Sequence, residues 1–135
     1  MSLFFDTNVL VYAFLDVEKR GRALEALTQG GVISAQVLNE FTHVAHRKRR
    51  RSWPEIEAAL AVIRDWFRDI VPITSATHAA AVAMAREHSL AFYDALILAA
   101  AIEAGCETLY SEDFQHGRRF GDLRVVNPFL GGIGG

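Results

Sequence analysis

Short apolar runs alternate along this chain with longer segments in which apolar residues recur at helical spacing. The short runs predict five strands, at residues 3–5, 32–33, 70–73, 108–110 and 124–126. The longer segments predict helices at residues 8–15, 19–29, 34 into the basic run 47–51, 52–67, 75–88 and 93–104. Such alternation is typical of an α/β fold, so we expect a three-layer α/β/α arrangement around a central parallel sheet of four to five short strands.

Single residues mark several of the predicted boundaries. Ser52 and Glu55 have the spacing of a capping box, so a helix is expected to begin between them. Pro72 cannot donate a backbone hydrogen bond, which places the third predicted strand at an edge of the sheet. The predicted helix 93–104 is apolar on nearly every side, which indicates burial, and Gly105 ends it.

Composition bounds the class of protein. The 135 residues are 51% hydrophobic and 22% charged, which suits a single domain over residues 1–130 with a flexible Gly-rich tail at 131–135. The lone Cys106 cannot form an internal disulfide and is expected to pack as a small apolar residue. No secretory or membrane-spanning segment stands out, and the sequence therefore predicts a cytoplasmic protein without membrane contact.

The positions of the charged residues along the chain are more informative about function than the net charge. With 14 Lys and Arg against 16 Asp and Glu, the net charge of −2 gives no hint of a nucleic-acid partner. Four acids nevertheless fall where a predicted strand ends or a helix begins: Asp6, Glu40, Asp94 and Asp113. If the strands are parallel, their carboxyl ends share one edge of the sheet, and the four carboxylates gather there.

Clustered carboxylates need a cation among them. Two unit charges about 4 Å apart repel by roughly 4 kcal/mol at an effective dielectric constant of 20. Oxygen ligands alone favour a hard cation, so the set predicts Mg²⁺, with Mn²⁺ as a substitute, rather than zinc. A hard divalent ion that keeps some of its positions for water can catalyse the hydrolysis of phosphoesters.

Four sequence motifs, in order along the chain, carry a resemblance to a known family. They are Phe5–Tyr12 (FDTNVLVY), Ser34–Phe41 (SAQVLNEF), Tyr93–Ile97 (YDALI) and Ser111–Phe114 (SEDF). Together they resemble the PIN-domain ribonucleases, and most closely the VapC-like toxins of toxin–antitoxin pairs. The resemblance spans residues 6 to 113, which is nearly the whole predicted domain.

The resemblance implies a specific activity and specific roles. In that family the residues matching Asp6, Glu40, Asp94 and Asp113 form the acidic metal site, which implies Mg²⁺-dependent cleavage of RNA. It also implies a homodimer and an antitoxin that covers the site. Three polar residues beside these acids are expected to support them or to contact phosphate: Thr7, Asn8 and Ser111. Glu112 neighbours Asp113 and is an alternative to it, with Asp113 preferred on the motif match.

Basic residues offer candidate contacts to RNA. The run 47–51 (Arg47, Lys48, Arg49, Arg50 and Arg51) exceeds what a helix end requires, so we expect it to contact the RNA backbone, with a solvated helix end or antitoxin contact as alternatives. His116, Arg118 and Arg119 follow the last acid and are further candidates for phosphate contact. His43 and His46 are expected to face solvent, and the aromatic residues Trp53, Trp66, Phe67 and Phe92 to pack in the core or a dimer interface.

Three other classes of protein are alternatives to a nuclease. A receiver-type phosphorylation switch needs a lysine late in the chain, and the last one here is Lys48. A phosphatase of the Asp-x-Asp type is disfavoured because residue 8 is Asn. A PIN-like module that binds RNA or protein without cleaving it stays open as the alternative to an enzyme.

Overall fold

A computed structural model describes residues 2–130. The strands are β1 (Leu3–Phe5), β2 (Ile33–Ser34), β3 (Ile70–Val71), β4 (Thr108–Tyr110), β5 (Arg119–Phe120) and β6 (Leu123–Val126). The helices are α1 (Thr7–Leu15), α2 (Arg20–Leu27), α3 (Ala35–His43), α4 (Trp53–Trp66), α5 (Ser75–His88) and α6 (Phe92–Glu103). The predicted alternation of strands and helices is confirmed, while the Gly-rich tail lies outside the described residues.

The central sheet is mostly parallel, as predicted. Its strand order is β1-β4-β6-β5, and a parallel β2-β3 pair lies beside β1, joined to it through a bridge between Phe4 and Val32. The strand β3 pairs with β2 alone, in keeping with the edge position expected from Pro72. The carboxyl ends of β1 and β4 therefore lie side by side, with Asp6 and Ser111 directly following them.

One strand was missed and makes the sheet less than fully parallel. Residues 119–120 were expected to lie in a loop, but they form β5, which runs antiparallel to β6. The two strands are joined by Gly121 and Asp122, and Gly121 adopts a φ of +62° that a tight hairpin requires. This two-residue Gly-Asp turn is the sequence signal that would have revealed the hairpin.

Helices cover both faces of the sheet. All three residues of β1 are buried, which requires packing on its two faces. Residues 95–101 of α6 are buried without interruption, so the predicted burial of this helix is confirmed. Cys106 is also buried, as expected for a small apolar residue, and burial raises the pKa of its thiol.

Helix boundaries follow the predicted signals with one exception. The Ser52 hydroxyl accepts a hydrogen bond from the Glu55 amide and the Glu55 carboxylate accepts one from the Ser52 amide, which confirms the capping box. The helix expected to run from Ser34 into the basic segment does reach it, but its α-helical part ends at His43 and it continues as a π-helical turn, Val44–Lys48.

The π-helical turn is explained by contacts made beyond it. The Arg49 guanidinium donates to the Leu15 carbonyl at 3.2 Å and pairs with Asp16 at 3.8 Å, both at the end of α1. These contacts draw the chain toward α1, and Arg50 then leaves the helix with a φ of +55°.

Within the part of the chain that the structure describes, no helix has the length and apolar character needed to cross a membrane.

Gly31 provides a test of the packing between β1 and the chain that precedes β2. A Cβ atom there would lie 2.5 Å from the Phe5 ring and 2.8 Å from the Leu3 carbonyl oxygen. We expect Gly31→Ala to lower the free energy of unfolding by about 1–3 kcal/mol, measured by urea denaturation, because the core must shift.

Gly21 is the matched control. It lies in α2, where an added Cβ would meet nothing within 4 Å, so Gly21→Ala is expected to be neutral or stabilising by up to about 1 kcal/mol. Equal unfolding curves for the two variants would contradict the close approach at Gly31.

Candidate active site

An open groove of about 690 Å³ lies at the edge of the sheet where β1 and β4 end. Glu40, Asp94 and Asp113 line it, and Asp6 is buried beside it next to Thr7. The structure thus brings the four predicted acids together from β1, α3, α6 and the loop after β4. Glu40 and Asp94 are half-buried, whereas Asp113 is exposed.

Asp6 is the most enclosed of the four acids, with 2% of its surface exposed. It directly follows β1 and is the N-cap of α1, where one carboxylate oxygen accepts a hydrogen bond from the Thr7 amide at 2.7 Å. The other oxygen accepts from the Ser111 hydroxyl at 2.6 Å. The strand, the helix start and the loop after β4 therefore fix this carboxylate in one orientation.

The three polar residues predicted to support the acids each contact one of them. Ser111 holds Asp6, and its hydroxyl also accepts from the Asp113 amide at 3.0 Å. The Thr7 hydroxyl donates to the Glu40 carboxylate at 2.8 Å. The Asn8 amide donates to the Asp113 carboxylate at 3.1 Å. The first turn of α1 thus reaches two acids from other parts of the chain.

Glu112 has a different environment from Asp113. The Tyr12 hydroxyl donates a hydrogen bond to its carboxylate, and the Lys19 ammonium lies 4.2 Å from the centre of the Tyr12 ring. Glu112 does not line the groove, whereas Asp113 does. This placement supports the preference for Asp113 and assigns Glu112 to the anchoring of the loop on α1.

Burial and mutual repulsion make these acids hard to ionise. The pKa of Asp6 is raised to about 7, mainly by burial and also by the charges of Asp113 and Glu40, while the hydrogen bonds from Ser111 and Thr7 oppose this rise. Burial followed by the charges of Asp113 and Glu40 also raises the pKa of Asp94. Partial loss of water raises the pKa of Asp113, with hydrogen bonds from Asp6 and Asn8 lowering it.

The donor chemistry of the groove fits a hard divalent cation. All four acids offer oxygen ligands, and the interactions that lower the pKa values of Asp6 and Asp113 are hydrogen bonds rather than a neighbouring cation. Across residues 2–130, however, no three His, Cys, Asp or Glu side chains already converge closely enough to hold an ion. The hydrogen bonds from Thr7 and Asn8 each engage one carboxylate oxygen, Oε1 of Glu40 and Oδ1 of Asp113.

The basic run 47–51 divides between different surroundings. Lys48 lines the acidic groove, whereas Arg49 is bound to the end of α1. Arg51 lies beside Ile56 with its Nε atom buried. The side chains of the run lie in separate directions because of the π-helical turn and the left-handed Arg50, and its contact with RNA stays a prediction.

The three candidates after Asp113 are not among the residues that line the acidic groove. The His116 ring accepts a hydrogen bond from the Asn127 amide at 3.0 Å, and the Arg118 guanidinium lies 4.5 Å from the centre of the Phe120 ring. Arg119 lines a separate groove of about 900 Å³, near the amino ends of β4 and β6. Nothing in this placement connects these side chains to the four acids.

Sequence reasoning missed other residues of the acidic groove. His43 is exposed, as expected, but it lines the groove together with Gln36, Asn39 and Tyr93. Gln36 and His43 lie four residues before and three residues after Glu40, and this helical spacing is the signal that could have found them. Asn39 and Tyr93 directly precede Glu40 and Asp94, so spacing gives no such signal for them. His46 was expected to face solvent, yet it is half-buried and stacks on Trp53 with ring centres 4.2 Å apart.

The aromatic residues are only partly where they were expected. Phe67 is buried and lies against Phe5 in the core, and Phe92 is half-buried. Trp53 and Trp66 are largely exposed, although Trp66 contacts the Phe14 ring at 5.4 Å between centres. The two tryptophans lie at the exposed ends of α4 and not in the core, so for them a dimer interface is the part of the prediction that stays open.

With this geometry in place, comparison with known proteins defines the class. Residues 3–119 match the PIN domain family, and because this match spans most of the chain, the protein belongs to that family. The membership predicted from the four motifs is confirmed. A comparison with curated protein sequences finds no significant match.

Solved structures share the fold across nearly their full length. The chain is similar to a toxin–antitoxin complex from Klebsiella pneumoniae, at 26% identity and a TM-score of 0.73, over 95% of this chain and 98% of that chain. It is also similar to VapBC2 from Rickettsia felis bound to a promoter DNA fragment, at 20% identity and a TM-score of 0.69, over 93% of this chain and 97% of that chain. A third similar structure is VapC20 of Mycobacterium tuberculosis, a sarcin–ricin loop cleaving toxin, at 20% identity and a TM-score of 0.70, over 83% of this chain and 90% of that chain.

The raised pKa of Asp6 predicts how stability depends on pH without metal. A carboxyl that holds its proton more tightly when folded than when unfolded stabilises the fold below about pH 4, and this contribution is lost as the pH rises through about 7. Between about pH 5 and pH 8 we expect the free energy of unfolding of the protein in EDTA to fall by about 2–3 kcal/mol.

Asp6→Asn should flatten this pH profile, because the amide keeps the polar contacts without a charge. Glu57→Gln, at an exposed position of α4, is the matched control and should leave the profile unchanged. Denaturant titrations at several pH values measure the effect, and parallel profiles for the wild type and Asp6→Asn would contradict the ionisation cost assigned to Asp6.

Proposed function

We propose that this protein is a Mg²⁺-dependent endoribonuclease toxin that hydrolyses RNA phosphodiester bonds and is neutralised by a cognate antitoxin. The observation that carries the proposal is the groove at the carboxyl edge of the sheet, which collects Asp6, Glu40, Asp94 and Asp113 around one space. Membership of the PIN domain family supports it, as does the structural likeness to a toxin that cleaves the sarcin–ricin loop.

The surroundings of each acid suit it to a different role in holding a metal ion. Asp6 is fixed on both oxygens and would serve as the rigid ligand, while the half-buried Asp94 would approach the ion from α6. Glu40 and Asp113 would complete the acidic site, directly or through water. When bound, a divalent ion orients the phosphate, activates water near neutral pH and stabilises the leaving oxygen. Mn²⁺ is expected to substitute for Mg²⁺ because both accept oxygen ligands.

The alternative is a PIN-like module that binds RNA or protein without cleaving it. It is favoured by one observation, namely that the acids do not already converge on a metal position within residues 2–130. Calorimetric titration with Mg²⁺ and Mn²⁺ separates the two functions, because a protein that binds neither ion has no route to metal-dependent hydrolysis.

Substitution of one acid tests the enzymatic role. With Mg²⁺ present, purified protein is expected to cleave RNA, and EDTA should abolish the cleavage. Asp94→Asn should reduce the rate by roughly a hundredfold or more, because it removes an ionic ligand while keeping the shape of the side chain.

Controls for this experiment come from the same fold. Glu57→Gln removes an acid from exposed α4 and should cleave like the wild type, and thermal melting checks that Asp94→Asn is folded. Cleavage that survives both EDTA and the Asp94→Asn substitution would show that the acidic groove is not the catalytic centre.

An antitoxin partner is inferred from the solved relatives, two of which are toxin–antitoxin complexes. Expression of the protein alone is expected to arrest growth, and co-expression with the product of the neighbouring open reading frame should rescue it. The Asp94→Asn variant should cause no arrest with or without that product. Arrest by this inactive variant would indicate toxicity unrelated to RNA cleavage.

A homodimer and a cytoplasmic location are further expectations of the same proposal.

A further inference from the structure

Tyr93 is an exposed aromatic residue at the rim of the acidic groove. It leaves 62% of its surface exposed, more than Trp53 at 53% or Trp66 at 47%. Of these three residues, only Tyr93 lines the groove, where it directly precedes Asp94 in the first turn of α6. An open aromatic face therefore lies beside the carboxylates.

Core packing does not account for this ring. The continuous burial of α6 begins at Ala95, after Tyr93, and the ring that accompanies Tyr93 is Phe92, tilted by 57° with centres 5.8 Å apart. The fold therefore gains little apolar burial from Tyr93. A large aromatic side chain left open to solvent at a proposed catalytic groove is better suited to contact with a ligand.

Lys48 provides a positive charge on another wall of the same groove. It is exposed and ends the π-helical turn that follows α3, whereas α6 carries Tyr93. Among residues 2–130, Lys48 is the single lysine or arginine that lines the groove. Such π-helical turns are often found at functional sites, and here the turn separates Lys48 from Arg49, which binds the end of α1.

We propose that Tyr93 and Lys48 form a nucleotide subsite, in which Tyr93 stacks on an unpaired RNA base next to the scissile bond and Lys48 contacts a phosphate of the same strand. Every base offers an aromatic face, so this contact tolerates different sequences, but a base inside a duplex is not available for it. The inference rests on the proposed function and adds to it the residues that hold the substrate.

The test measures binding rather than cleavage, so that it does not depend on catalysis. All variants carry Asp94→Asn, and fluorescence anisotropy follows the binding of a labelled single-stranded oligoribonucleotide of mixed sequence. Tyr93→Leu keeps an apolar side chain without a ring and should weaken binding by about five- to a hundredfold relative to Tyr93→Phe, which retains the ring. Trp66→Leu removes an exposed ring outside the groove and should leave binding unchanged.

Lys48 is tested through the dependence of binding on salt. Lys48→Met should reduce the slope of log affinity against log salt by about 0.7 to 1, the amount expected for one lost phosphate contact, whereas Arg64→Met, at an exposed position of α4, should leave it unchanged. A ribose-phosphate oligomer without bases separates the two roles. On this probe the loss caused by Tyr93→Leu should vanish, and the loss caused by Lys48→Met should remain.

The outcomes separate this inference from the proposed function. Equal binding by Tyr93→Leu and Tyr93→Phe, in a protein whose wild type cleaves RNA, would overturn the subsite and leave the nuclease standing. Binding that depends on Tyr93 in a protein whose wild type cleaves nothing would overturn the nuclease and retain the subsite. The absence of RNA binding in every variant would overturn the subsite as well.

Discussion

A buried carboxylate at the end of β1 is the constraint around which the rest of the site is arranged. Asp6 begins α1 through its hydrogen bond with the Thr7 amide and binds the loop after β4 through Ser111. These contacts lower the cost of its charge but do not remove it, since its pKa remains raised to about 7. The fold therefore holds an acid whose ionisation is unfavourable without a positive charge beside it.

The rigidity of β1 makes this arrangement possible. The strand is buried on both faces, pairs with β4 along its length and is bonded to Val32 on its other side. The hydrogen bond from the Asp6 amide to the Tyr110 carbonyl extends this pairing past the last residue of the strand. The backbone of Asp6 is therefore held in place by the same pairing as the core strand before it. A stable core tolerates one destabilising group at its edge.

Local sequence signals predicted more of the fold than of the groove. The capping box at Ser52, the buried helix α6 and the acids at the strand ends all follow from residue spacing, because short-range hydrogen bonds and burial determine them. The π-helical turn and the position of Lys48 do not, because Arg49 reaches across 34 residues to Leu15. Tyr93 was missed for a related reason: only the folded chain shows which aromatic residue of α6 stays open.

The charge distribution has a further consequence for how RNA and metal would bind together. The net charge of −2 conceals an acidic groove that would repel a phosphodiester, with Lys48 the one lysine or arginine of residues 2–130 on its walls. An ion held by the acids would offset part of their negative charge, so RNA should bind more tightly to the metal-loaded protein. Because such coupling is reciprocal, RNA must then raise the affinity for the metal by the same factor. Asp6, Glu40, Asp94 and Asp113 would hold the ion, and the ion would supply the positive charge that favours a phosphate in this groove.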